Sequence, residues 1–238
     1  AFYLMEKISG DNKTSYQKLS FALYFLGLFN LMFNWGHHIY LLPTEKIIHY
    51  IAYAVSMTEW ILFIRIFYKW NKQIKENKQH YYFFPYRFLM AADYWVIINL
   101  GMALLMSIPA INLYTHGTHI TVAHAMGTTI GINTMIILAA SFYFIKPTFL
   151  SKKTLKLNSL FFWSTQLILL TFLISLIGMG IQRALWQVGL KKSTFSQMTQ
   201  ASSLWTLLFI ILGTLLMIFM GYFIIYLILK SLKKNQVT

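Results

Sequence analysis

Apolar runs of about twenty residues recur along this chain between short charged stretches, and few folds accept such a pattern. A run of that length is what a helix needs to cross a bilayer, where every backbone polar group must be paired within the segment. The runs fall at roughly 17–42, 46–69, 86–110, 118–146, 157–188 and 202–230. Hydrophobic residues make up 58% of the chain and charged residues 11%, too little polar surface to cover a soluble core. The expected fold is all-α: a polytopic bundle of about six membrane-spanning helices, forming a single membrane domain segment over residues 1–238.

The charges are distributed unevenly. An even number of spans puts both termini on one side, together with the stretches 1–16, 70–85, 147–156 and the C-terminal tail. Those stretches and their flanks hold sixteen Lys and Arg, from Lys7 to Lys234; the opposite side holds Lys46, Arg183, Lys191 and Lys192. Such asymmetry orients a membrane protein with its basic side in the cytoplasm, so both termini are expected there. The formal net charge of +14 is accounted for by this bias and by anionic lipid headgroups, and nucleic acid is excluded as a partner because the basic residues lie between apolar runs. There is no cysteine, which rules out disulfides, thiolate metal sites and covalent heme attachment within the chain. The opening AFYLMEKISG has no signal-peptide pattern and reads as starting within a longer polypeptide.

Five of the histidines collect in the outer half of the expected bundle. His37 and His38, in NWGHHIYLLP, close the first span at its outer end, and THGTHITVAHAMG opens the fourth with His116, His119 and His124. His49 lies near the outer end of the second span and His80 in a basic loop; a lone His at an interface is usually a hydrogen-bonded amphipathic side chain, and both stay unassigned. Adjacent imidazoles at a helix end are less ordinary and suit iron, copper or zinc. His124 and Met126 stand two apart, so they face roughly opposite sides of their helix and could offer axial ligands to two hemes. The bland alternatives are packing for Met126 and a polar helix entrance for His116 and His119. Two carboxylates also lie within spans. Glu59, near mid-depth, reads as a proton carrier or metal-site neighbour, because a buried carboxylate is costly. Asp93, nearer an interface, reads as a structural partner of Arg87 or a lysine.

Taken together, Gly36-His37-His38, a mid-helix Glu59 in the next span and Tyr114–Met126 resemble the C-terminal half of the large catalytic subunit of nitric oxide reductases, in the heme-copper oxidase superfamily. Order and spacing both match. The resemblance implies that His37 and His38 are two of three histidine ligands of a non-heme iron. It implies that His124 is the axial ligand of a high-spin heme b, that His116 lies by the heme propionates, and that Glu59 assists proton delivery. It also implies nitric oxide reduction to nitrous oxide in the bacterial cytoplasmic (inner) membrane.

The chain departs from the pattern in two places. The family has His-x-His where this chain has His124-Ala125-Met126, so a low-spin heme b would take Met126 as an axial ligand, find its ligand elsewhere, or be absent; a His/Met pair is the preferred reading. The third iron-binding histidine and the glutamate of the preceding helix are missing, which implies that the remaining half of the catalytic subunit is a partner. A cytochrome c-type subunit or quinol would be the electron donor. An oxygen-reducing or NO-dismutating relative is the nearest alternative; Tyr40 follows the His pair by two residues, but mid-helix Glu59 favours the nitric oxide branch. A non-catalytic metal-binding subunit or channel is disfavoured because polar pore stripes are lacking.

Overall fold

The computed structural model describes residues 83–146 and 152–235 continuously, with 42–55, 57–58 and the isolated positions 4, 7, 8, 25 and 64. Nearly all of the expected span 17–42 and close to half of 46–69 lie outside the described residues, while 46–55 is helical. The main helices are α1 (Phe84–Ser107), α2 (Pro109–Thr115), α3 (His119–Met126), a π-helical segment (Gly127–Thr134), α4 (Met135–Ile145), α5 (Lys152–Gln187), α6 (Phe195–Ala201) and α7 (Ser203–Asn235). No strand occurs among the described residues. Four helices there are long and apolar enough to cross a membrane: Phe84–Ser107, His119–Ile145, Lys152–Gln187 and Ser203–Leu232.

These spans run up and down as neighbours. α1 packs on the π-helical segment and α4, α5 packs on α3, and α7 packs on α5. At one end, Phe88 of α1 meets Phe142 of α4, Phe162 of α5 and Phe223 of α7, with ring centroids 5.4, 5.1 and 5.2 Å away. The start of α1 and of α5 therefore meets the end of α4 and of α7. Arg87, Lys146, Lys152, Lys156 and Lys230 belong to those same helix ends, so most basic residues of the four spans gather at one end of the bundle, with Arg183 at the other end of α5.

The expected third span, 86–110, is broken. Pro109 disfavours helical backbone at the residue before it, and Ile108 is extended, with φ −71° and ψ 123°. The chain restarts at once as α2, with Pro109 in its first turn, where a missing N–H is harmless.

The fourth span has a change of winding inside it. Ala123, Gly127, Gly131, Met135 and Ala139 are all buried, at a strict spacing of four. In a regular α-helix that row would drift about 40° per step, or roughly 160° over the whole run. The wider π turn over Gly127–Thr134 turns each residue through a smaller angle and brings the row back onto one face. That face meets α1 closely: a Cβ on Gly131 would stand 2.7 Å from Cγ of Trp95, and one on Gly127 2.5 Å from Oδ1 of Asn99. Small residues at such positions let two membrane helices approach until their side chains interdigitate.

Candidate functional site

The motif at residues 115–127 is built around a turn before it is built around histidines. Gly117 has φ +70°, a left-handed conformation that a Cβ would strain. Thr118 is the N-cap of α3, and its hydroxyl accepts from the N–H of Ile120 at 3.2 Å. The carbonyl of Thr115 accepts from the hydroxyls of Thr118 at 2.7 Å and Thr121 at 2.9 Å. The THGT residues thus reverse the chain between α2 and α3 and fix where α3 starts. The sequence signal for this was a Gly followed by a capping Thr just before an apolar run.

His116 caps the C-terminal end of α2, half-buried, with its N–H bonded to the carbonyl of Asn112 at 2.8 Å. His119 is exposed in the first turn of α3, as a polar helix entrance would be. His124 is half-buried one turn further along. Its carbonyl accepts from the hydroxyl of Thr128 at 3.2 Å, and Asn99 Nδ2 of α1 donates to that same hydroxyl. The helix bearing His124 is thereby tied to α1 at the point where α winding gives way to π. Buried Asn99 presents its Oδ1, without a hydrogen-bond partner among the described residues, toward Gly127. Met126, about 200° around the helix from His124, packs against the edge of the hydrophobic cluster and stays partly exposed.

On the α5 side, Gly180 takes α3 against its backbone: a Cβ there would stand 2.5 Å from Cγ1 and 2.6 Å from the amide nitrogen of Ile120. Gly178, two residues before and on the opposite side of α5, receives the indole of Trp205 from α7. His124 therefore sits on a helix clasped between Gly127 and Gly131 contacts with α1 and the Gly180 contact with α5.

The remaining expected site residues divide. His37, His38, Glu59, Tyr40 and His80 lie outside the described residues. Among the described residues no three His, Asp, Glu or Cys side chains converge as a metal site. His49 bonds through Nε2 to the hydroxyl of Thr44 at 2.6 Å. Arg87 donates from Nη1 to the hydroxyl of Ser159 at 2.9 Å and lies 5.2 Å from the centroid of the Phe84 ring. Asp93 is half-buried on α1.

A helical bundle with four spans of membrane-crossing length and apolarity is the architecture of an integral membrane protein. The chain matches the family described as cytochrome c and quinol oxidase polypeptide I over residues 1–216, and it belongs to that heme-copper oxidase subunit I family. No curated protein matches it.

That family binds heme. The donor chemistry of His124 fits such a group: a half-buried imidazole nitrogen donor on a helix whose carbonyl, N-cap and two neighbours fix its position. Met126 supplies a thioether, equally able to ligate heme iron or to pack.

Proposed function

We propose that this chain is the C-terminal half of a nitric oxide reductase-type catalytic subunit, reducing nitric oxide to nitrous oxide with electrons from a cytochrome c-type subunit or quinol. The observation that carries this reading is a sequence constellation inside a heme-copper oxidase family member: Gly36-His37-His38, Glu59 one span later, and His124 in THGTHITVAHAM. In it, His124 would hold a high-spin heme b, His37 and His38 would supply two ligands of a non-heme iron, and Met126 would be a ligand of a low-spin heme b. The third iron ligand and the second low-spin heme ligand come from the complementary half. Bound there, the two irons would supply adjacent sites for two nitric oxide molecules and the electrons that reduce them.

The chain's own residues set the conditions for that chemistry. Glu59, a carboxylate within a span, is the proton carrier in this reading. Two protons and two electrons are consumed for each pair of nitric oxide molecules turned into nitrous oxide and water, so a proton source at that depth is required. His116, at the mouth of α3, is suited to donate to heme propionates. The clasp of Gly180 and Gly131 on the His124 helix limits its freedom to tilt and so fixes where the His124 backbone stands.

The test is the protein purified from its own membrane with its complementary half. Nitrous oxide formation from nitric oxide without oxygen, with b-type heme absorption and one non-heme iron, supports the reading. Oxygen consumption without nitrous oxide formation assigns the chain to the oxygen-reducing branch, and heme-free, iron-free protein removes the enzymatic reading altogether.

A further inference from the structure

A groove on the outside of the bundle, away from the His124 helix turn, lies between α1 and α5. It encloses about 640 Å³ and is lined by Tyr86, Arg87 and Tyr94 of α1 and by Trp163, Leu167 and Leu170 of α5, among others. Its floor is closed by side chains: the Trp95 indole donates to Oε1 of Gln166 at 2.8 Å, and Gln166 Nε2 in turn donates to the Met135 sulfur at 3.5 Å. The polar groups of the floor are thus paired with one another, and the surface presented outward is aromatic and aliphatic. Tyr94, Trp163 and Leu167 are 52%, 53% and 63% exposed, so the groove is open along its length to whatever surrounds the helices.

The two ends of the groove differ. Arg87 lines one end and is bonded there to Ser159. On α5, Lys152, Lys156, Ser159, Trp163 and Leu170 follow at steps of four, three, four and seven, which places them on one helical face. Exposed Lys152 and Lys156 therefore stand above the groove on the face that lines it. The deep end, at Ile98 and Leu170, is apolar. From Tyr86 to Ile98 a helix rises roughly 18 Å. That is close to the thickness of one leaflet, about half of a 30 Å hydrocarbon core. The half-buried carboxylate of Asp93 does not line the groove and lies nearly two turns below Arg87.

The geometry points to a binding site for one anionic phospholipid, its headgroup against exposed Lys152 and Lys156 over the buried Arg87, and an acyl chain along Tyr94, Trp163 and Leu170. Basic pockets between membrane helices at the interface recognise such headgroups. The cavity volume lies in the range of built ligand sites. A neutral lipid would fill the apolar length but leave the basic end unmatched. The assignment is independent of the redox reading, because it uses none of the histidines.

The experiment is native mass spectrometry of the purified protein in detergent, titrated separately with phosphatidylglycerol and phosphatidylcholine. One phosphatidylglycerol should be retained in preference to phosphatidylcholine. In Lys152→Gln/Lys156→Gln, at an exposed helix end, phosphatidylglycerol should weaken by about fivefold per lysine while phosphatidylcholine and the thermal midpoint are unchanged. Leu170→Trp, filling the deep end, should weaken both lipids, with the thermal midpoint confirming a folded protein. Equal retention of the two lipids by the unmodified protein, or phosphatidylglycerol binding that survives both variants, overturns the assignment. Displacement of the lipid by stoichiometric decylubiquinol, with quinol binding insensitive to the lysines, would give the groove to a neutral quinol and overturn it as well.

Discussion

Replacing Gly180 by alanine tests the packing that holds the His124 helix. The added methyl would fall 2.6 Å from the Ile120 amide nitrogen, 2.5 Å from its Cγ1 and 3.2 Å from the His119 carbonyl carbon, where ordinary contact begins near 3.4 Å. The Ile120 side chain can rotate away, but its backbone cannot, so α3 and α5 must separate by nearly an ångström. Overpacking of this kind costs about 1–3 kcal/mol. That is roughly a five- to hundred-and-fiftyfold loss in the folded-to-unfolded ratio. The assay is helix content followed by circular dichroism in a denaturing-detergent titration. Gly221→Ala is the control, since a Cβ there meets nothing within 4 Å and alanine is the better helix former, so stability should hold or rise slightly. Ile120 lies one turn before His124, so the Gly180 variant should also disturb whatever the imidazole holds. Equal stability of Gly180→Ala and the parent, or equal damage from Gly221→Ala, would refute the close-approach reasoning.

Further outcomes follow from other contacts. Phe88→Ala empties a fully buried site where three rings converge, so unfolding should become easier by about 3–5 kcal/mol in the same titration. Gly117→Ala forces a methyl into left-handed backbone and should lower stability by about 1–2 kcal/mol, whereas Gly117→Asn should lose less. Met126→Leu keeps the packing volume while removing the sulfur: loss of the low-spin heme band alone supports ligation, and an unchanged band assigns Met126 to the hydrophobic cluster it touches. Asn99→Leu removes the donor to Thr128 and should loosen the α-to-π junction, read as faster amide exchange at residues 127–134.

The spans were legible because hydrocarbon imposes a length on any helix that crosses it. The expected 118–146, 157–188 and 202–230 became His119–Ile145, Lys152–Gln187 and Ser203–Leu232. Averaging over apolar windows hid the break at Ile108, although Pro109 carried the signal in its effect on the preceding residue. The π segment was hidden for a different reason. A helix that is apolar on every side shows no amphipathic period, so a change of winding leaves no hydropathy trace. The trace was steric: Ala123, Gly127, Gly131, Met135 and Ala139 at a constant step of four, a row that a uniform α-helix cannot keep on one face. The short helix α6 was also missed, and its signal was the capping box of Thr194 and Gln197. At the site, motif spacing singled out His124 and Met126, but not what fixes them. Asn99, Thr128 and Gly180 come from three elements, and only their packing shows that they converge on one helix.

The most direct measurement is a reduced-minus-oxidised spectrum with iron analysis of the protein purified from its membrane, for the parent and for His124→Leu. If His124 holds a redox heme beside an iron bound by His37 and His38, the parent carries b-type heme and non-heme iron, and His124→Leu loses the high-spin heme while its helices remain folded. A full high-spin signal in the folded His124→Leu variant, or a parent with neither heme nor iron, would contradict it.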